Sequence, residues 1–215
     1  MSDLGSYRST SPGAVPAQAL ARRHYGRLMQ SAPPRVEAVM LARIAATWLA
    51  GEGALPERMG LSRPAFRRLQ SRWFGGRSLP EDAPSGRAWC PEQAPEAEDL
   101  LALLLADRAY GDPLEEWLAQ MLVAACQGGR HLWEDLGVWS RAELTALLRR
   151  HFPALARANH RDMKWKKFLY RRLCDLEGLT LCRAPTCDQC QDFSDCFGPE
   201  ERPSLGPVAP GPRAI

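Results

Sequence analysis

Apolar side chains return every three or four positions through most of this chain, the spacing that gathers them on one face of an α-helix. Over 36–50, Val36, Met40, Ile44 and Trp48 share such a face, and Gly51 and Gly53 mark its end. Ser62 stands where it can cap a shorter helix carrying Phe66, Leu69 and Trp73. The pattern resumes over 96–108. Asp112 then offers a cap, Pro113 suits a first helical position and Glu115 a helix N-terminus, so a helix is expected from there to about Cys126, ended by Gly128 and Gly129. Ser140 and Glu143 have capping-box spacing ahead of Leu144, Leu147, Leu148 and His151 or Phe152, and Pro153 is expected to interrupt that helix. A last helix over about 162–176 places Trp165, Phe168, Leu169, Leu173 and Leu176 on one side. No segment alternates as a half-buried strand would, and no repeat recurs, so the fold class is all-α.

Polar and glycine- or proline-rich stretches divide the chain around these helices. Residues 1–16 lack apolar periodicity and are expected to form a disordered arm, as are 201–215 at the other end. A single helical domain is expected over 17–200, with a long, partly disordered connection at about 75–95.

Composition narrows the picture. With 215 residues, 45% hydrophobic and 25% charged, one domain can bury a core without disulfide staples. The seven cysteines are an odd number, and the first twenty residues have neither the basic nor the apolar region of a signal peptide, which points to a reducing cytoplasm. The longest apolar run, at 100–106, is far short of the roughly 18 to 20 residues that span a bilayer, so no membrane is expected. A net charge of only +3 makes nucleic acid an unlikely general partner. The tryptophans Trp48, Trp73, Trp117, Trp133, Trp139 and Trp165 fall at helical or helix-flanking positions and suit a core better than base stacking. No phosphate loop, nucleophile elbow or H-E-x-x-H pair is present, so an ordinary enzyme is the weakest class.

Chemistry concentrates near the end of the chain, where Cys182, Cys187, Cys190 and Cys196 have the spacing C-x4-C-x2-C-x5-C. Four thiolates this close can ligate iron or zinc without help from the rest of the fold, so 182–196 reads as a metal-binding loop. The spacing lacks the paired knuckles of most structural zinc sites. Its first three cysteines have the plant-type ferredoxin interval, but the fourth is misplaced for that family, and zinc and an iron–sulfur site both stay open. Lys164, Lys167 and Arg171 lie on one helical stripe just before the loop, with Lys166 and Arg172 beside it. They are either a solvated face or cations that offset a negatively charged cluster and lower nearby thiol pKa values. Cys126 and Cys174 lie in apolar helices and Cys90 in the long connection, so none of the three is expected to be a ligand.

The residues around the loop carry a resemblance. Asp162-Met-Lys-Trp-Lys-Lys-Phe-Leu-Tyr-Arg-Arg-Leu-Cys174, the four cysteines and the closing Cys196-Phe-Gly-Pro-Glu200, together with Gly129-Arg-His-Leu-Trp-Glu-Asp-Leu-Gly137 and Phe152-Pro-Ala-Leu155 upstream, resemble the C-terminal region of the NifQ family. The resemblance covers roughly the last 70 to 90 residues and leaves the N-terminal half without a motif to match. It implies a carrier, not an enzyme, that holds a molybdenum–iron–sulfur cluster and supplies molybdenum for the iron–molybdenum cofactor of nitrogenase. It also implies Cys182, Cys187, Cys190 and Cys196 as ligands, molybdate as metal source, and the NifEN scaffold and NifH as partners. His131 falls in the matched segment and is a candidate extra or transient metal ligand, with Glu134 and Asp135 as residues that could orient it. A lone histidine more often serves as a structural hydrogen-bonder, and His24, His151 and His160 have weaker claims. Two other functions remain in view: a zinc-stabilised nucleic-acid-binding module and a simple iron–sulfur redox protein.

Overall fold

A computed structural model of the chain describes residues 16–88, 96–176 and 193–200. These residues form ten α-helices and one short 3-10 turn, with no strand among them. The helices are α1 (Ala17–Met29), α2 (Val36–Leu49), α3 (Arg63–Trp73), α4 (Ala97–Ala106), α5 (Pro113–Cys126), α6 (Leu132–Leu136), α7 (Arg141–His151), α8 (Pro153–Ala158), α9 (Trp165–Leu176) and α10 (Phe193–Phe197). The all-α expectation is met.

Helix α5 is the axis of the core. Its caps are those its sequence announces: the Asp112 carboxylate accepts from the Leu114 amide at 2.8 Å, and Pro113 occupies the first turn. From Leu114 to Cys126 only Glu116 and Gln120 escape burial. Helix α4 packs against both α5 and α9, α6 bridges α5 and α7, and α8 folds back on α7. The Trp48, Trp73, Trp117, Trp133, Trp139 and Trp165 side chains are all buried, so the core account of these residues holds.

Helix α1, which polar periodicity hid, packs along α2 and buries Ala21 and Leu28. That second neighbour changes the face of α2 that is covered. Ala38, Leu41, Ala42 and the run from Ile44 to Trp48 are buried, whereas Val36, expected on the buried face, is 68% exposed. The C-terminal end of α2 is fastened to the α6–α7 turn. Thr47 Oγ1 donates to the Gly137 carbonyl at 2.8 Å and receives the Trp139 indole N–H at 3.3 Å. Gly137 has φ 92°, and a Cβ there would lie 2.9 Å from Thr47 Cβ, so only glycine fits.

The described part of the long connection is not a bare tether. Leu79 and Ala83 are buried, and the Leu79 amide donates to Gln70 Oε1 at 2.8 Å. Pro153 ends α7 but also opens α8, as a residue that needs no amide partner in a first turn. Helix α9 starts at Trp165 and not at Asp162. Asp162 takes φ 56°, and Asn159 clamps the turn by accepting from the Met163 amide and donating to its carbonyl.

Candidate functional site

The turn from α5 into α6 is built around a buried carboxylate. Asp135 Oδ2 accepts from the Arg130 amide at 2.9 Å and from Lys166 Nζ at 2.5 Å, and its side chain is 2% exposed. Lys166 Nζ also donates to the Gly128 carbonyl at 2.7 Å, which ties α9 to the end of α5. Glu134 Oε2 receives the His131 amide at 3.2 Å and fixes the start of α6.

This arrangement opens onto a cleft of about 350 Å³ between the α5–α6 turn, the start of α9 and residues 195–200. Arg130, His131, Lys164 and Lys167 bring positive or protonatable groups to its walls, and Glu134, Asp195 and Glu200 bring carboxylates. Helix α10, which carries Cys196, is docked on the start of α9. The Lys164 amide donates to the Cys196 carbonyl at 2.7 Å, and Lys164 Nζ donates to the Ser194 carbonyl at 3.2 Å. Arg161 lies over the Phe197 ring at 5.3 Å.

Beyond α10, Glu200 turns inward. Its Oε1 lies 3.4 Å from Arg141 Nε and 3.8 Å from His131 Nδ1, its side chain is 5% exposed, and Oε2 has no hydrogen-bond partner among the described residues. Arg141 additionally donates to the Asp162 and Met163 carbonyls and pairs with the Asp162 carboxylate. One guanidinium thus joins the start of α7, the left-handed turn before α9 and the segment after Cys196.

Of the residues singled out from sequence, Cys196 and His131 are brought to this one region. Cys182, Cys187, Cys190 and Cys90 lie outside the described residues. The carboxylate facing the His131 ring is that of Glu200; Asp135, expected to orient His131, is committed to Lys166 and Arg130. Lys164 and Lys167 line the cleft, and Lys166 has a structural task that helical spacing could not reveal. Arg130, Arg141 and Glu200 were missed as site residues; Arg130 and Glu200 had a signal, as members of the motifs that carry the resemblance, and Arg141 had none. Cys126 is buried beside Lys166 and Asp135, and burial pushes its thiol up to about 12, which suits a packed hydrophobe and not a ligand. His151 is far from the cleft in the fold, at the other end of α7 from Arg141.

A protein-family model described as NifQ matches residues 40–198, well beyond the C-terminal segments that carry the resemblance. The chain belongs to the NifQ family. Protein NifQ of Azotobacter vinelandii is 39% identical over 176 residues, which cover 77% of this chain and 90% of the relative. A NifQ homolog of Sinorhizobium fredii is 37% identical over 80% of this chain and 75% of its own length. Protein NifQ of Rhodobacter capsulatus is 39% identical over 70% and 82%. No solved structure matches significantly. NifQ membership makes this a nitrogen-fixation protein and extends the likeness into the helices of the N-terminal half.

Proposed function

We propose that this NifQ-family chain carries a molybdenum–iron–sulfur cluster as cargo and donates its molybdenum to the biosynthesis of the nitrogenase iron–molybdenum cofactor. The observation that carries the reading is the docking of the Cys196 helix, in a NifQ-family chain, against a cleft that gathers His131, Arg130, Lys164 and Lys167. Cys182, Cys187, Cys190 and Cys196 supply the soft donors. Thiolate and sulfide suit iron, and they bind molybdenum once its hard oxo groups have been replaced. The cleft cations offset the negative charge of a thiolate-ligated cluster, and His131 is the extra or transient ligand.

A carrier also has to let go. Three of the four cysteines fall within a span of only nine residues, and the fourth sits on a five-residue helix held by a handful of polar contacts, a support that opens at low cost. On this reading the protein works as a carrier and not as an enzyme, takes molybdate as its metal source, and hands over to the NifEN scaffold with NifH cooperating. It works in the cytoplasm; no helix among the described residues is long and apolar enough to cross a membrane.

Metal analysis of protein purified without oxygen tests the proposal. Iron and acid-labile sulfide with molybdenum in a coloured protein are expected, and Cys187→Ser or Cys190→Ser should abolish retention while Cys90→Ser leaves it intact. A colourless protein holding zinc alone would replace this reading with a structural zinc module, and reversible one-electron titration with no molybdenum in any preparation would replace it with a redox protein.

A further inference from the structure

Helices α2 and α5 run antiparallel to α7, and the ends of the three separate two surfaces. The end of α2 bonds to the α6–α7 turn, the end of α5 packs on Asp135, and the start of α7 holds Glu200, so those three ends lie toward the cleft. The opposite ends, Val36 and Glu37, Asp112 and Leu114, and Arg149 to His151, line a different pair of adjoining grooves of about 660 and 560 Å³. With 14 residues in α2 and α5 and 11 in α7, these far ends are roughly 15–20 Å from the cleft ends, and the larger groove runs back along α7 as far as Glu143.

Val36 is 68% and Tyr110 69% exposed, and both line both grooves. Single exposed apolar residues are ordinary; two facing one recess floored by Met40 and Leu147 form an anchor site. The charges around it are not balanced. Every carboxylate on the rim is taken by an arginine: Glu37 by Arg150, Asp112 by Arg72 and Glu143 by Arg43. Arg35 and Arg149 are exposed and have no ion pair among the described residues.

We infer that this groove is a docking surface for an acidic segment of a partner protein, whose carboxylates meet Arg35 and Arg149 and whose apolar side chain seats between Val36 and Tyr110. Nucleic acid fits less well, because its affinity comes from many uncompensated cations and this rim offers two amid three carboxylates. A symmetric pairing of two copies would offer Arg35 and Arg149 no unpaired carboxylate, because every carboxylate on the facing rim is already held by an arginine. Docking at the far end of the helices leaves the cleft open while the partner is held.

The test uses the full chain and a fluorescent decapeptide with four carboxylates flanking a central Leu-Phe, compared with the same peptide carrying glutamines in place of the acids. Anisotropy should show the acidic peptide binding at least tenfold more tightly, with the preference shrinking as salt rises from about 50 to about 500 mM. Tyr110→Ala, and Arg35→Gln with Arg149→Gln, should each weaken it about tenfold. His131→Ala, in the cleft, should not. Three results would overturn the inference: no saturable binding, equal binding of the two peptides, or binding that His131→Ala removes and the groove variants keep. A concentration-dependent dimer abolished by Tyr110→Ala would assign the groove to a second copy instead.

Discussion

Gly128 shows how tightly the cleft's foundation is specified. A Cβ at that position would fall 2.3 Å from Asp135 Cγ, in contact with the carboxylate that Lys166 neutralises. Gly128→Ala should therefore force the pair apart and cost about 1–3 kcal/mol in urea unfolding, more than its modest volume suggests. Lys166→Met should cost more, about 3 kcal/mol, because it leaves a buried carboxylate with only the longer Arg130 pair at 3.8 Å. If Lys166→Met unfolds at the wild-type urea concentration, the pair contributes nothing and Lys166 reverts to a surface cation. The thiols supply a second residue-scale contrast. With its pKa at about 12 and its side chain enclosed, Cys126 should resist iodoacetamide in the native metal-free protein near pH 8, while half-buried Cys196 reacts. Mass mapping of the alkylated cysteines checks this, and native labelling of Cys126 at the rate of Cys196 would contradict the burial argument.

Among the elements, α10 is the one whose attachment matters most for function, and beside the Lys164 contacts a residue distant in sequence, Arg141, fastens the segment that follows it. Arg141→Gln removes the charge facing Glu200 and the grip on the 162–163 turn, so amide exchange over 193–200 should quicken about tenfold while the amides of α5 keep their protection. Unchanged exchange over 193–200 would show that the Lys164 contacts suffice. Such long-range ties are what periodicity cannot reveal. Helices α3, α5 and α7 were legible because each joins an apolar stripe to a capping residue, and α2 through its stripe and the glycines that end it; Ser62, Asp112 and Ser140 all accept the amide bonds their positions promise. Helices α6 and α10 are five residues each, shorter than the pattern that would betray them, and α1 presents an Arg-rich surface above two buried residues. The site divided the same way. Cys196 and His131 were visible as residue types at telling positions, whereas the Glu200–Arg141 and Asp135–Lys166 contacts join residues 59 and 31 positions apart and depend on the tertiary fold.

At the scale of the molecule, the bundle keeps one buried titratable pair at the end away from the cleft, and that pair gives stability a pH dependence of defined sign. His151 is 3% exposed, its Nδ1 is 3.6 Å from Glu115 Oε1, and Glu115 accepts the Ala109 and Tyr110 amides. Burial lowers the His151 pKa from 6.5, outweighing the pull of Glu115 and Glu37 toward the charged form, while Arg150 opposes protonation as well. The native state therefore holds a neutral imidazole where the unfolded chain would already bind a proton. Its contribution is complete above pH 6.5 and is lost as pH falls below that value toward the native pKa, at no more than about 1.4 kcal/mol per pH unit. His24 is shifted the same way, chiefly by burial, and adds to this slope. Glu37 and Asp112, both lowered, act only at more acidic pH, where their carboxylates begin to protonate. Urea midpoints of the metal-free protein should accordingly fall between pH 7 and about 5.5, and more shallowly in His151→Gln than in wild type even though the variant starts lower. A midpoint that rises on acidification would mean that His151 enters the folded core as the imidazolium partner of Glu115, and the neutral assignment would fail.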